Sequence, residues 1–521
     1  MNRLDSREGA EGARRLLTAL LDARGAWLLR ETRDGRAVEL RRDEWELRVL
    51  GRTLVLSCWG ESGARAWRVS AWRAEGEALF LEAAGRAGAG RVMLWLVPRA
   101  SVASAREALA DARRAECERL AALVCRAAGA KLERASLSAG SRRGEPGRWA
   151  RIIFRRVGGA RVAATAPVFP AGAEEAESFL ASALLWHARL GESARGAPVG
   201  GLRLVAPHAL AAAVRERVPL LRASLRALVS VHELGEDDGL TPSSVPTLDE
   251  LLNAPAPRLA RVAPYALSET AACVAALAPA EIDTLRSRKG ETLRYLGLPF
   301  ARVRRVAGRE HLWFGVEARG RTLLDEQSAP DFQKLLAELS AHRRADAPER
   351  KHALYRAAPE AWLEALLRRD VTRLDPGLRL APLHAQFRAS RTAGGAAARP
   401  VDLLALRRDG RLVVIELKVS EDAALALQGA DYWRRISTHH RAGHIRRARL
   451  FGDAPISDAP PLVYLVAPLL RFHRSFETLA RCIRPEIELY RFDLNEDWRA
   501  GVRVMRRVTL TNNWRLLPVI G

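Results

Sequence analysis

Apolar and polar residues alternate in short runs over the first hundred positions, the period-2 pattern of half-buried strands. The runs Ala26–Glu31, Ala37–Leu40, Glu44–Leu50, Arg52–Trp59, Ala66–Trp72, Ala78–Ala83 and Arg91–Val97 predict strands, preceded by a short helix at Gly12–Asp22. Turn formers at Asp34-Gly35 and Gly60-Glu-Ser-Gly63 punctuate them. Six of the thirteen tryptophans fall here, Trp27, Trp45, Trp59, Trp67, Trp72 and Trp95. Exposed rings would make a stacking platform for bases, whereas buried ones would be the core of a small β domain, the commoner use.

A different succession begins past residue 100. Arg151-Ile-Ile-Phe-Arg-Arg156, a Gly158-Gly159 turn and Arg161-Val-Ala-Ala-Thr-Ala-Pro-Val168 predict a hairpin. Leu204-Val-Ala-Pro207 follows, then a helical stretch and the strand pattern Val229-Ser-Val-His-Glu-Leu-Gly-Glu-Asp237. The order returns with the hairpin pattern Val401–Leu406 and Arg411–Val419, Leu465-Val-Ala-Pro468, another helical stretch, and Ile487-Glu-Leu-Tyr-Arg-Phe-Asp-Leu-Asn-Glu-Asp497. This is an internal repeat of an α/β unit, or two α/β units that are alike by chance. Between the copies Leu240–Pro257 reads as a linker, Arg258–Leu298 as mostly helix, Phe300–Val306 and His311–Val316 as strands, and Asp331–His342 as helix. Four domains are expected: a Trp-rich β domain over 1–100, an α/β domain over 101–240, a linker with a mainly helical brace or winged-helix-like module over 241–350, and a second α/β domain over 351–521. The brace carries the basic run Arg286-Ser-Arg-Lys289 and Arg302, Arg304 and Arg305, which suit nucleic-acid binding or a merely solvated face.

The second hairpin holds the candidate chemistry. A three-residue loop, Arg408-Asp409-Gly410, puts glycine at its left-handed position and pairs Arg407 with Arg411. Counting back along both strands sets Asp402 opposite Glu416 on one face, with Lys418 facing the same way. Val413, Ile415, Leu417 and Val419 form the opposite, core face. Two carboxylates and an ammonium together suit a Mg²⁺ ion and a phosphate, although an exposed strand with an ordinary Glu/Lys alternation reads the same locally. Pro400 and the Arg/Ala/Gly-rich stretch 388–399 make an irregular approach, and Ser420-Glu421-Asp422 predict a capped helix start with an acidic first turn. Gln428 and Tyr432 on that helix are four apart and face back toward the strands. Laid over this hairpin, the first copy puts Arg151 at Asp402, Thr165 at Glu416 and Pro167 at Lys418, which cannot hold the same metal.

Pro400-Val-Asp402, Glu416-Leu-Lys418, Gln428-Gly-Ala-Asp-Tyr432 and Glu364 within Trp362-Leu-Glu-Ala-Leu-Leu367 resemble the PD-(D/E)xK nuclease superfamily, particularly its archaeal mismatch-endonuclease branch. The resemblance covers roughly 351–470, with one valine intervening between Pro400 and Asp402. It implies a restriction-endonuclease-like mixed sheet flanked by helices. Asp402 and Glu416 would be ligands to Mg²⁺ or Mn²⁺, Lys418 would orient or activate the attacking water, Glu364 would assist at the metal, and Gln428 would support the site.

Charge agrees with a polyanionic partner: 84 Lys plus Arg stand against 61 Asp plus Glu, a formal net charge of +23. Arg434, Arg435, Arg441, Arg446, Arg447 and Arg449 follow the site, interleaved with His439, His440 and His444, and could track phosphates. A zinc reading of the histidines lacks a cysteine pair. The five cysteines, Cys58, Cys117, Cys125, Cys273 and Cys482, have no ligand spacing and suggest a reducing cytoplasm. Neither a signal-like apolar start nor an uninterrupted apolar span is present, so secretion and membrane insertion are not expected. The expected function is a Mg²⁺-dependent DNA nuclease of repair, recombination or defence. A non-catalytic nucleic-acid-binding protein is the alternative, and RNA as substrate and pairing into a homodimer stay open.

Overall fold

The computed structural model describes residues 2–31, 37–60, 63–85, 91–99, 102–140, 146–192, 198–235, 237–261, 266–287, 290–306, 308–316, 321–388, 399–510 and 515–517. The turn expected at Asp34-Gly35, the tip Glu61-Ser62, Arg288-Lys289 of the basic run and nearly all of the approach 388–399 lie outside them. The fold is mixed α/β, with a β-rich N-terminal region and a mixed C-terminal sheet flanked by helices. Among the described residues no helix is long and apolar enough to cross a membrane. Two compact units form: Met1–Ala105 with Ala263–Asp370 and Asp497–Val502, and Arg106–Val262 with Val371–Glu496 and Arg503–Gly521.

In the first unit the alternating runs become an antiparallel sheet of Ala26–Glu31, Ala37–Arg41, Trp45–Leu50, Thr53–Gly60, Gly63–Glu75, Ala78–Gly85 and Arg91–Pro98, with Asn2–Arg3 added. The helix starts at Arg7, earlier than the apolar pattern, because the Ser6 hydroxyl caps it by accepting the Gly9 N–H at 3.0 Å. Trp27 and Trp67 are buried in the core and the other four tryptophans are half-buried, so none of the six is an exposed stacking ring. The region read as mostly helical is a correction. Among the described residues of Arg258–Leu298 only Glu269–Ala276 is helix, while Ile282–Ser287 and Gly290–Tyr295 open an antiparallel sheet completed by Leu298–Val306, Arg309–Phe314 and Thr322–Leu323. Gly290, at φ +115°, turns the first hairpin, and Leu293 and Tyr295 alternate into the core; tertiary pairing overrides local helix propensity here. A meander therefore replaces the helical brace or winged-helix-like module. The presumed linker also holds structure, a strand at Leu240–Ser243 and a helix at Leu248–Leu252 with a Thr247/Glu250 capping box.

The second unit contains two sheets. One runs, in spatial order, Lys131–Ala139, Pro146–Arg155, Arg161–Pro167, Val199–Pro207, Val229–Leu234 and Leu240–Ser243; the other runs His384–Phe387, Val401–Leu406, Leu412–Leu417, Leu462–Pro468, Leu489–Leu494 and Val504–Thr509, with Arg515–Leu517 beyond. Successive neighbours in both are antiparallel, antiparallel, parallel, parallel and antiparallel. Register matches as well. Arg151 pairs with Thr165, which sits beside Leu204, and in the second sheet Glu416 sits beside Leu465. Shared order, direction and register are what duplication of one unit requires.

The two halves pack on one another through their helices. Phe179 and Leu184 of the first share a core with Leu427, Trp433 and Leu479 of the second. Leu220-Leu-Arg222 and Cys482-Ile-Arg484, each following the helix after its own Leu-Val-Ala-Pro strand, run antiparallel. The Arg222 N–H donates to the Cys482 carbonyl and the Arg484 N–H to the Leu220 carbonyl, 2.9 Å each. This reciprocal exchange has two-fold character.

Candidate active site

The hairpin forms in the register its loop dictates. Gly410 takes φ +83°, and a Cβ there would lie 2.9 Å from the Pro455 carbonyl oxygen, so conformation and space both require glycine. The Arg407 N–H donates to the Arg411 carbonyl at 2.9 Å, and the ladder continues to Leu403–Ile415. There the strands part. One step on, the Leu417 N–H donates to Asp402 Oδ2 at 2.9 Å. Lys418 Nζ donates to Glu416 Oε1 at 2.6 Å and to the Leu417 carbonyl at 3.3 Å. Asp402, Glu416 and Lys418 thus share one end of the strand pair.

The expectation of one core face and one open face is corrected. Every residue of Leu412–Leu417 is buried, Glu416 to 2 % exposure, because the strand is paired along both edges, by Val401–Leu406 and the parallel Leu462–Pro468, and the helix Leu425–Arg441 packs on it. Leu404, Leu406, Leu412 and Val414 join Tyr432 and Ile436 in one apolar cluster, and Asp402 and Lys418 are half-buried at its end.

The helix over this face is Leu425–Arg441, later than the start expected at Ser420-Glu421-Asp422. Asp422 Oδ1 instead accepts the Ala424 N–H at 2.8 Å, a local turn that delays the first helical residue and leaves no acid in the first turn. A Cβ on Gly429 would lie 2.6 Å from Leu465 Cδ2 and 2.9 Å from Val463 Cγ1, so the glycine lets the helix lie directly on the sheet. Gln428 and Tyr432 flank that contact and are buried. Glu416 Oε2 and Gln428 Oε1 are buried oxygens with no hydrogen-bond partner.

Burial, then the charge of Asp402, pushes the Glu416 carboxyl well above its usual range, and Lys418 only partly opposes them. Burial, then the charges of Glu416 and Asp402, likewise pushes the Tyr432 phenol up. A raised carboxyl pKa makes ionisation cost stability as pH climbs from the ordinary carboxylate range toward the raised one. In chelator at pH 8, Glu416→Gln is expected to melt above the parent by ~2 °C or more, the two converging toward pH 4. A Tm for the variant at or below the parent's at pH 8 would show that the ionised side chain carries no penalty.

Gln386 gave no signal in the sequence. It sits on the edge strand at φ +51°, and its Nε2 donates to Asp402 Oδ1 at 3.3 Å. Glu364 belongs to the first unit, where Arg294 Nη1 donates to its Oε1 at 3.0 Å and the same guanidinium pairs with Asp283. Arg434 and Arg435 are also corrected. Both are buried against Asp431 and do not track phosphates, whereas Arg441, Arg446, Arg447 and Arg449 are exposed. His439 and His444 face each other, Nδ1 to Nδ1, at 3.0 Å.

Among the described residues no three His, Cys, Asp or Glu side chains converge as a ligand group. An ion between Asp402 and Glu416 would complete its shell with amide or main-chain oxygens and water, and the two orphaned buried oxygens fit that donor set. No family model and no curated protein matches the chain. A solved structure, that of EndoMS in apo form, is similar over 39 % of this chain and 87 % of that chain at 14 % identity, with a TM-score of 0.12, an overlap too slight to bear on fold or site.

Proposed function

We propose that the chain is a Mg²⁺- or Mn²⁺-dependent nuclease that hydrolyses phosphodiester bonds in DNA, in repair, recombination or defence. Asp402 and Glu416 hold the ion, Lys418 acts on the attacking water, and Gln428 supports the site. The observation that carries this reading is the pair of buried oxygens without a donor, Glu416 Oε2 and Gln428 Oε1, beside the convergence of Asp402, Glu416 and Lys418. Buried acceptors of that kind are costly unless a cation or donor reaches them, and an all-oxygen set suits Mg²⁺ or Mn²⁺ better than zinc. The bound ion supplies charge neutralisation at the phosphate and a more acidic water.

The chain's own groups do the positioning. Leu417 N–H and Gln386 fix the two oxygens of Asp402, at 2.9 and 3.3 Å. Lys418, tied to Glu416 and the Leu417 carbonyl, is a fixed positive charge that orients water and stabilises charge developing on the phosphate. The net charge of +23 supports a nucleic-acid substrate.

Crystals soaked in Mn²⁺ are expected to give an anomalous peak within coordinating reach of both Asp402 and Glu416. No peak in an open site would sink the metal assignment. Digestion of linear, circular, single-stranded and branched DNA, with and without Mg²⁺, tests the activity itself. Tight binding with no cleavage of any of these would make the chain a non-catalytic nucleic-acid-binding protein.

A further inference from the structure

Two nuclease subunits that each cut one strand of a duplex would face each other across a two-fold axis. Here one chain supplies both sides of such an arrangement. The two halves share strand order and register, and they meet through the reciprocal bridge of Leu220–Arg222 with Cys482–Arg484. The helix face of the second half that a like copy would cover is already buried against the first half, in the core holding Phe179, Leu184, Trp433 and Leu479.

The halves differ where chemistry would occur. At the position of Asp402 the first half has Arg151, and at that of Glu416 it has the buried Thr165, directly paired with Arg151. The Arg151 guanidinium lies 5.8 Å from the Trp186 ring, its buried Nε has no hydrogen-bond partner, and the nearby charge is another cation, the exposed Arg189. Neither arginine is paired with a carboxylate among the described residues, whereas Arg148, Arg155, Arg161 and Arg217 of the same half are. Two guanidiniums without a carboxylate partner among the described residues, Arg151 on the sheet and Arg189 one turn beyond Trp186 on the helix Ala176–Glu192, are a site for an anion. The two halves also touch beside the second hairpin. Arg399, three residues before Asp402, donates to the Glu174 carbonyl of the first half at 3.3 Å.

We propose that the chain is an internal pseudo-dimer with one cutting half and one holding half, in which Arg151 and Arg189 take a backbone phosphate of the uncut strand, so that duplex DNA leaves with a single nick. A two-fold protein presents equivalent positions to the two strands of a duplex, and here only one of those positions has the carboxylates. The nick rests on the nuclease reading above; the holding site does not.

The experiment uses the full chain in two arms. In chelator, binding of a short duplex is measured against salt for the parent, R151Q/R189Q and R151K/R189K, all first matched in thermal unfolding. The glutamine pair is expected to weaken binding and lower the salt slope by up to ~2, while the lysine pair keeps the parental slope. An unchanged slope for the glutamine pair, or a parent that does not bind duplex, overturns the holding site. With Mg²⁺ and supercoiled plasmid, nicked circles are expected as the first product, and linear DNA formed without a nicked precursor overturns the single cutting half. A parent whose slope responds as expected but which cuts nothing supports the holding site and overturns the nuclease reading together with the nick.

Discussion

Lys418→Ala (K418A) is expected to slow cleavage by at least ~10²-fold under single-turnover conditions while DNA affinity falls only modestly. The side chain donates to Glu416 Oε1 and to the Leu417 carbonyl, and both bonds fix its charge at the parted end of the strand pair. A truncation there removes a positioned charge that matters most when the phosphate gains charge, which is why the loss should fall on the chemical step. Arg446 and Arg447 provide the opposite case. Both are exposed beyond the site helix, so removing them should weaken binding and flatten its salt dependence while the chemical step at saturation holds. Parental cleavage by a folded K418A would refute the strand-face mechanism even in a protein that degrades DNA.

Asp431→Ala is expected to destabilise the second unit by about 3–5 kcal/mol, a large share of the ~5–15 kcal/mol that holds a domain folded. Asp431 is 1 % exposed. It accepts from Arg434 at 2.7 Å and Arg217 at 3.3 Å and pairs with Arg435, and Arg217 and Arg434 also reach Glu177 and Glu216 of the first half. Removing this carboxylate leaves guanidiniums buried around an empty centre. Burial alone would raise the pKa of Asp431, but Arg217, Arg435 and Arg434 outweigh it and hold the group far below the usual carboxylate range. A depressed pKa gives stability that is present at neutral pH and is lost as pH falls below the unfolded value of about 3.9. The parent should therefore lose stability in acid more steeply than D431A, and urea midpoints at pH 7 and below measure both effects. A midpoint at pH 7 equal to the parent's would mean that the arginines find other partners.

Local rules made much of this molecule legible. Strand alternation located the N-terminal sheet to within a few residues, and one loop, Arg408-Asp409-Gly410, fixed the register of the second hairpin as far as Leu403 and Ile415, the residues beside Asp402 and Glu416. The repeat was legible because Leu-Val-Ala-Pro recurs at the same place in each sheet. What stayed hidden depends on partners far along the chain. Glu364 finds Arg294 seventy positions away, and nothing near either residue announces it. Arg434 and Arg435 look like a solvated basic run until Asp431 and Glu216 are folded around them. Gln386 reaches Asp402 from a left-handed backbone that no sequence periodicity encodes. The strands at Ile282–Tyr295 were masked by helix-favouring neighbours, since the decisive pairing comes from residues after Leu298.

The reciprocal bridge of Leu220–Arg222 with Cys482–Arg484 also bears on how such a protein can change. In an assembly of identical subunits every substitution is made twice, once on each side of the axis, so a residue cannot be altered on one side alone. With both sides written into one chain, that coupling is gone. Arg151 and Asp402 stand at the same place in their sheets with opposite charge, an asymmetry that a symmetric pair of copies could never carry, and each half is free to drift toward its own task so long as the seam between them is kept.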